Sequence, residues 1–205
     1  MTEKISAQLG KFFTKSPTPE SDVDKIIIDT AYRFGPGWSV LYTEFGKDKS
    51  SIYLARLGFK VTVFSISEAD LKKIKELADK EKLEIRTVQG DLTNPDDFFR
   101  LGNFQAIYSI NQLQRLLYEQ IDPTLSLMKS HTENGGYNII QTEGTESEGS
   151  DLKSDILGEI LRKSYSRWLK GHTDSIEYYG KWESHAGEEQ KHRQYSIKLI
   201  ARKLV

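Results

Sequence analysis

The sequence predicts an α/β protein built on a mostly parallel sheet that ends in an antiparallel pair. Two observations predict it. From Trp38 to Thr142, short apolar runs alternate with longer amphipathic stretches, the rhythm of a parallel sheet covered by helices on both faces. After that, two β-like runs, SIEYYGKWES and RQYSIKLIARKLV, follow one another across the polar HAGEEQKH, close enough to make a hairpin. Five strands and then two give a seven-stranded mixed sheet.

Residues 1–20 are polar and carry Pro17 and Pro19, as a loose N-terminal arm would. Residues 22–34 place Val23, Ile26, Ile27 and Ala31 at helical spacing, and Gly35-Pro36-Gly37 stops that helix. WSVLYTEF is the first strand, SSIYLARLG the first crossover helix with Gly58 past its end, and KVTVFSI the second strand. Ser67 can cap EADLKKIKELADKEK, whose Leu71, Ile74 and Leu77 share one face. LEIRTVQ, FQAIYSI and YNIIQT are strands three to five. Between the last two, QLQRLLYEQIDPTLSLMKSH is helical with a restart at Asp122-Pro123, aspartate as cap and proline in the first turn. EGTESEGSDLK, residues 143–153, has Leu152 as its single apolar side chain and reads as a mobile flap. DILGEILRKSYSRWLK is amphipathic through Ile156, Ile160, Leu161 and Trp168.

A chain of 205 residues is most simply one domain, 1–205. Twenty-nine basic against thirty acidic residues leave a net charge of −1, so no charge excess argues for a nucleic-acid or membrane partner. Absence of cysteine removes disulfides, thiolate metal sites and cysteine nucleophiles. No apolar stretch approaches the roughly 20 residues of a membrane span, and a cytoplasmic protein is the expectation. Phosphate-loop chemistry is also absent: Gly46-Lys47-Asp48-Lys49-Ser50 shares only the Lys-Ser ending of GxxxxGK[ST]. There is no Gly-x-Ser-x-Gly elbow, and no histidine pair has metal-ligand spacing.

Particular pieces carry a resemblance. SSIYLARLGFKVTVFSIS, Gly90-Asp91-Leu92, HTENGGYNII, LGEILRKSYSRW and the closing IKLIARK together resemble the class I S-adenosylmethionine-dependent methyltransferases, and among them the small tellurite-resistance, TehB-like enzymes. The resemblance implies a Rossmann-like sheet with its ligand outside the carboxyl ends of the parallel strands, where the strand order reverses. It also implies S-adenosylmethionine as cofactor and a small-molecule methyl acceptor as partner.

Laid ungapped on the family loop Leu-Asp-Leu-Gly-Cys-Gly-x-Gly, this chain puts Tyr42 where the acidic residue stands and Glu44, Gly46 and Asp48 where the three glycines stand. Only Gly46 matches. Glycines there let backbone approach the cofactor, whereas two carboxylates would face the cofactor's own carboxylate. Reading Glu44-Phe45-Gly46 as Asp-Leu-Gly restores the acid but needs a deletion before Tyr53-Leu54-Ala55. At the end of strand two the family's ribose-binding acid is replaced by Ser65, which gives up a paired, charge-assisted hydrogen bond. Asp91, with Leu92 beside it, matches the carboxylate at the adenine edge; it reads equally as a turn-capping aspartate.

For the acceptor side, the resemblance implies a His-Arg pair in the last hairpin and a later arginine. His185 and Arg193 match the histidine and the later arginine, with Ala186 where the first arginine is expected; His192-Arg193 can instead be the pair itself. Taken singly, each of the two histidines reads first as an exposed residue of a polar turn. Two functions therefore stand open: a methyltransferase-fold protein with weak or no cofactor use that acts by binding or regulation, through a homodimer for instance, or an active enzyme with an altered cofactor loop.

Overall fold

A computed structural model describes residues 23–43, 48–147, 154–169, 175–183 and 192–204, with backbone alone at 48, 144–147, 154, 178–183 and 192–193. The N-terminal arm lies outside these residues, as do 44–47 and the part of the expected flap at 148–153. Chain order is α1 (Lys25–Ala31), β1 (Ser39–Thr43), α2 (Asp48–Arg56), β2 (Lys60–Ser65), α3 (Glu68–Glu81), β3 (Ile85–Gln89), α4 (Pro95–Phe99) and β4 (Phe104–Ile110). A 3-10 turn (Leu113–Arg115) then leads to α5 (Tyr118–Ser130), β5 (Thr132–Ser147), α6 (Ser154–Ser164), β6 (Ser175–Glu183) and β7 (His192–Arg202). The seven strands form one sheet in the order β3-β2-β1-β4-β5-β7-β6. Pairs among β1 to β5 are parallel, while β7 is antiparallel to both β5 and β6. The expected seven-stranded mixed sheet is what forms.

Burial on both faces explains why the inner strands are continuous apolar runs rather than alternating ones. Val40, Tyr42, Val63, Ala106, Tyr108 and Ile139 pack on one side with Ile26, Ile27, Leu54 and Ile74 of the first three helices. Leu41, Phe64, Ile107, Ile140 and Leu199 pack on the other with Phe98, Leu125 and Leu161 of the last three. Among the described residues no helix is long and apolar enough to cross a membrane.

Three elements depart from the expectation. The helix after β4 does not restart at Asp122-Pro123; it begins at Tyr118, its entry held by the Leu117 N–H donating to Gln120 Oε1 at 2.9 Å. Pro123 sits inside it without ending it. The bond its missing N–H cannot make belongs to the Glu119 carbonyl, and both residues lie on the exposed side where water can serve. The fifth strand is longer at both ends, and residues 143–147 are strand rather than flap, because β7 pairs with β5 from Tyr137↔Arg202 to Ser147↔His192. A ladder needs backbone, not apolar side chains, so composition misleads there. A short helix, α4, is the third departure, although Asn94 and Pro95 supply its cap and first position, with the Asn94 side chain accepting the Asp96 N–H at 3.0 Å.

Buried polar side chains are tied in pairs. The Tyr108 hydroxyl lies 2.8 Å from Thr30 Oγ1, and complete burial pushes its pKa up. Asn138, fully buried, accepts from Thr132 and donates its Nδ2–H to the Tyr165 hydroxyl, each at 2.8 Å. Tyr165→Phe therefore leaves a buried amide N–H without an acceptor, a cost of about 1–3 kcal/mol. Urea unfolding should show a lower midpoint with an unchanged slope; an unaltered midpoint contradicts the pairing. At Gly90, a Cβ would lie 2.4 Å from Phe64 Cε2 and 3.0 Å from Asp97 Cγ, so the packed ring must shift. Gly90→Ala should cost about 1–3 kcal/mol by overpacking, read by the same unfolding experiment, and wild-type stability would show that the ring can move.

Candidate functional site

The strand order reverses between β1 and β4, and the loops leaving neighbouring strands diverge there, opening a crevice at their carboxyl ends. A cleft of about 230 Å³ lies at that end of the sheet, lined by Thr43 from β1, Phe64, Ser65 and Ile66 from the end of β2, Gly90, Asp91 and Leu92 after β3, and Gln112, Arg115 and Leu116 after β4. Of the residues singled out from sequence, Ser65, Asp91 and Leu92 come together here. Glu44, Gly46 and His185 lie outside the described residues. Asp48 opens α2, and His192 and Arg193 open β7, with only their backbones described.

Ser65 is turned inward. Its side chain belongs to a residue 4% exposed, and its Oγ accepts the Ser67 N–H at 3.1 Å. Ser67 in turn caps α3 by accepting the Asp70 N–H at 3.2 Å. The hydroxyl at the end of β2 thus supports the start of the next helix. Ile66, by contrast, is 65% exposed at the cleft edge.

Asp91 combines both readings offered for it. Its Oδ1 accepts the Thr93 N–H and the Thr93 hydroxyl, both at 2.8 Å, as a turn-capping aspartate does. Yet it also lines the cleft, beside Leu92. Its backbone N–H donates to Asp97 Oδ2 at 2.9 Å. That bond, with Arg100 beside it, holds the Asp97 carboxyl below the usual carboxylate range. Phe64, packed edge-on to Phe98, forms the cleft floor next to Gly90.

The tail candidates His192 and Arg193 pair along the backbone with Ser147 and Glu146 at the end of the β5–β7 ladder.

Sequence reasoning missed Gln112, Arg115 and Leu116. Their signal was position: they follow directly on the carboxyl end of a buried central strand, where side chains of an α/β sheet meet a ligand. Among the described residues no group of three potential metal ligands is brought together.

The family model for "Tellurite resistance protein TehB" matches residues 12–156. A probable S-adenosyl-L-methionine-dependent methyltransferase TehB from Haemophilus influenzae is 31% identical over 114 residues, which take in 56% of this chain and 38% of that protein. The match therefore spans under two fifths of the curated relative's length. Among solved structures, TehB from Haemophilus influenzae superposes with a TM-score of 0.67 at 22% identity, covering 90% of this chain and 63% of that one. Magnesium protoporphyrin IX methyltransferase from Synechocystis, with bound S-adenosylmethionine, gives 0.56 at 16% identity, covering 98% and 78%. At those identities the structural likeness establishes the fold alone. The sheet, its crevice and the span of the family match lead to one assignment: the chain belongs to the TehB family of class I S-adenosylmethionine-dependent methyltransferases.

Proposed function

We propose that this protein is a diverged member of its family that uses S-adenosylmethionine weakly or not at all and acts by binding a small molecule. The observation that carries the reading is Ser65. In a cofactor site of this fold the end of β2 presents a carboxylate to both ribose hydroxyls; here it presents a serine, whose single neutral oxygen already accepts the Ser67 N–H and cannot make the paired, charged contact. Without the charge-assisted hydrogen bond, binding is weaker by roughly 1.5–3 kcal/mol. A further observation supports it: in the sequence Glu44 and Asp48 stand where the family loop has glycine, and two carboxylates there would oppose a ligand carboxylate. The residues present do not fit the cofactor as a family site would.

A second reading, active methyl transfer through an altered loop, is favoured by the apolar slot that remains: Ile66, Leu92 and Leu116 line the cleft with Asp91 at its side, a set able to take a flat base.

Calorimetric titration with S-adenosylmethionine and S-adenosylhomocysteine separates the two. The expected dissociation constant is millimolar or beyond detection, 1 mM corresponding to about 4 kcal/mol. Glu44→Gly, Asp48→Gly and Ser65→Asp combined should strengthen binding by removing bulk and charge and returning the ribose acceptor. Micromolar binding by the unaltered protein would return the assignment to an active enzyme.

A further inference from the structure

The sheet ends on β6, the last strand in the order β3-β2-β1-β4-β5-β7-β6. Among the described residues no strand pairs with its outer side. Such an edge is a row of unpaired N–H and C=O groups, and proteins commonly blunt it with a short strand, a proline, a bulge or a lysine. The opposite edge, β3, is five residues long. β6 is nine residues long, SIEYYGKWE, and holds no proline. It pairs with β7 in unbroken register from Ser175↔Ile200 to Glu183↔His192. Of those devices it has Lys181 alone.

The residue order along β6 answers that lysine. Two antiparallel strands of one sequence pair about a two-fold axis. Outward N–H and C=O groups belong to alternate residues, so the axis must pass through a residue and not between two. With the axis through Tyr179, all nine residues pair. Glu177 then stands opposite the partner's Lys181, and Lys181 opposite the partner's Glu177; Ile176 and Trp182 match in the same way, and Tyr178 meets Gly180. Opposite charges and aromatic–branched pairs are the cross-strand combinations that stabilise an antiparallel ladder. Moving the axis to Gly180 sets Glu177 against the partner's Glu183, and moving it to Tyr178 leaves Lys181 against Ser175. Charge therefore selects one register.

The inner side of β6 is compatible with that pairing. Glu177, which is exposed, neighbours Lys198 on β7, and Lys181 neighbours Gln194. Glu177 thus lies between two lysines once a second copy is in place. Ile176 packs against the second core, and the partner's Trp182 at the position opposite continues the apolar side across the join.

We infer that β6 is a self-complementary docking edge, through which two copies of this chain pair β6 against β6 and merge two seven-stranded sheets into one. The occupant is a second copy because the mirrored charge order, glutamate before the centre and lysine after it, satisfies itself. The inference goes beyond the small-molecule reading and uses neither the cleft nor a cofactor.

The test is sedimentation equilibrium of the full chain over a concentration series at low salt. The mass should rise with concentration toward twice the 23.5 kDa of one chain. Lys181→Glu sets glutamate against glutamate on both sides of the axis and should weaken the dimer about tenfold or more; its β7 neighbour Gln194 is uncharged, so the hairpin is not at risk. Glu177→Lys sets lysine against lysine and should do the same, with far-UV circular dichroism checking the fold because Lys198 lies beside it. Mixed in equal amounts, the two variants should dimerise again, since every glutamate then faces a lysine; a merely structural defect is not cured by mixing. Should Glu177→Lys unfold, Lys181→Glu alone decides. Lys72→Glu, the same charge change at an exposed position of α3, is the control and should leave the dimer unaltered. A chain monomeric at every concentration, a dimer indifferent to Lys181→Glu, or folded variants that do not associate when mixed each overturn the inference. Cofactor binding of any strength bears on the earlier reading and leaves this one standing.

Discussion

Two-sided burial of β1 and β4 is the constraint on which the rest depends. These central strands pair in parallel from Val40↔Ala106 to Thr43↔Ser109, and their side chains alternate between two cores: Tyr42 and Tyr108 in one, Leu41 and Ile107 in the other. Only Thr43, at the carboxyl end of β1, borders the cleft. Function must leave the sheet at its carboxyl ends, where the chain turns away from both cores and order reverses between β1 and β4. The cleft residues sit there, drawn from the carboxyl ends of β1 and β2 and the chain that follows β3 and β4.

The same burial explains how much of the fold could be read in the amino acids. KVTVFS and FQAIYSI are largely apolar runs bounded by glycine or polar punctuation, and the structure makes strands of them within a residue of the reading. Where the reading failed, backbone pairing or local capping outweighed side-chain composition. EGTES contains nothing apolar, yet its backbone extends β5 because β7 lies alongside with matching donors and acceptors. Asp122-Pro123 has the chemistry of a helix start, but Gln120 fixes the start earlier, at Leu117, and a proline on the wet side of an established helix removes a bond that water can replace.

The site is legible in part, for a different reason. Residue identity says which side chains are present; their direction is set by neighbours. Ser65 reads as a poor substitute for an acid, and the structure adds that its oxygen accepts the Ser67 N–H. Asp91 reads equally as turn cap and ligand-binding carboxylate, and it both bonds Thr93 and borders the cleft.

The cleft is shaped by hydrogen bonds local to the chain that leaves each parallel strand. Ser65 accepts the Ser67 N–H, and Ser67 in turn caps α3; Asp91 holds the Thr93 N–H and hydroxyl; Asn111 and Gln114 tie the turn after β4 to residues 141–143 of β5. Each of these segments is held by its own bonds to the sheet or to the next helix, so a substitution in one leaves the backbone of the others in place.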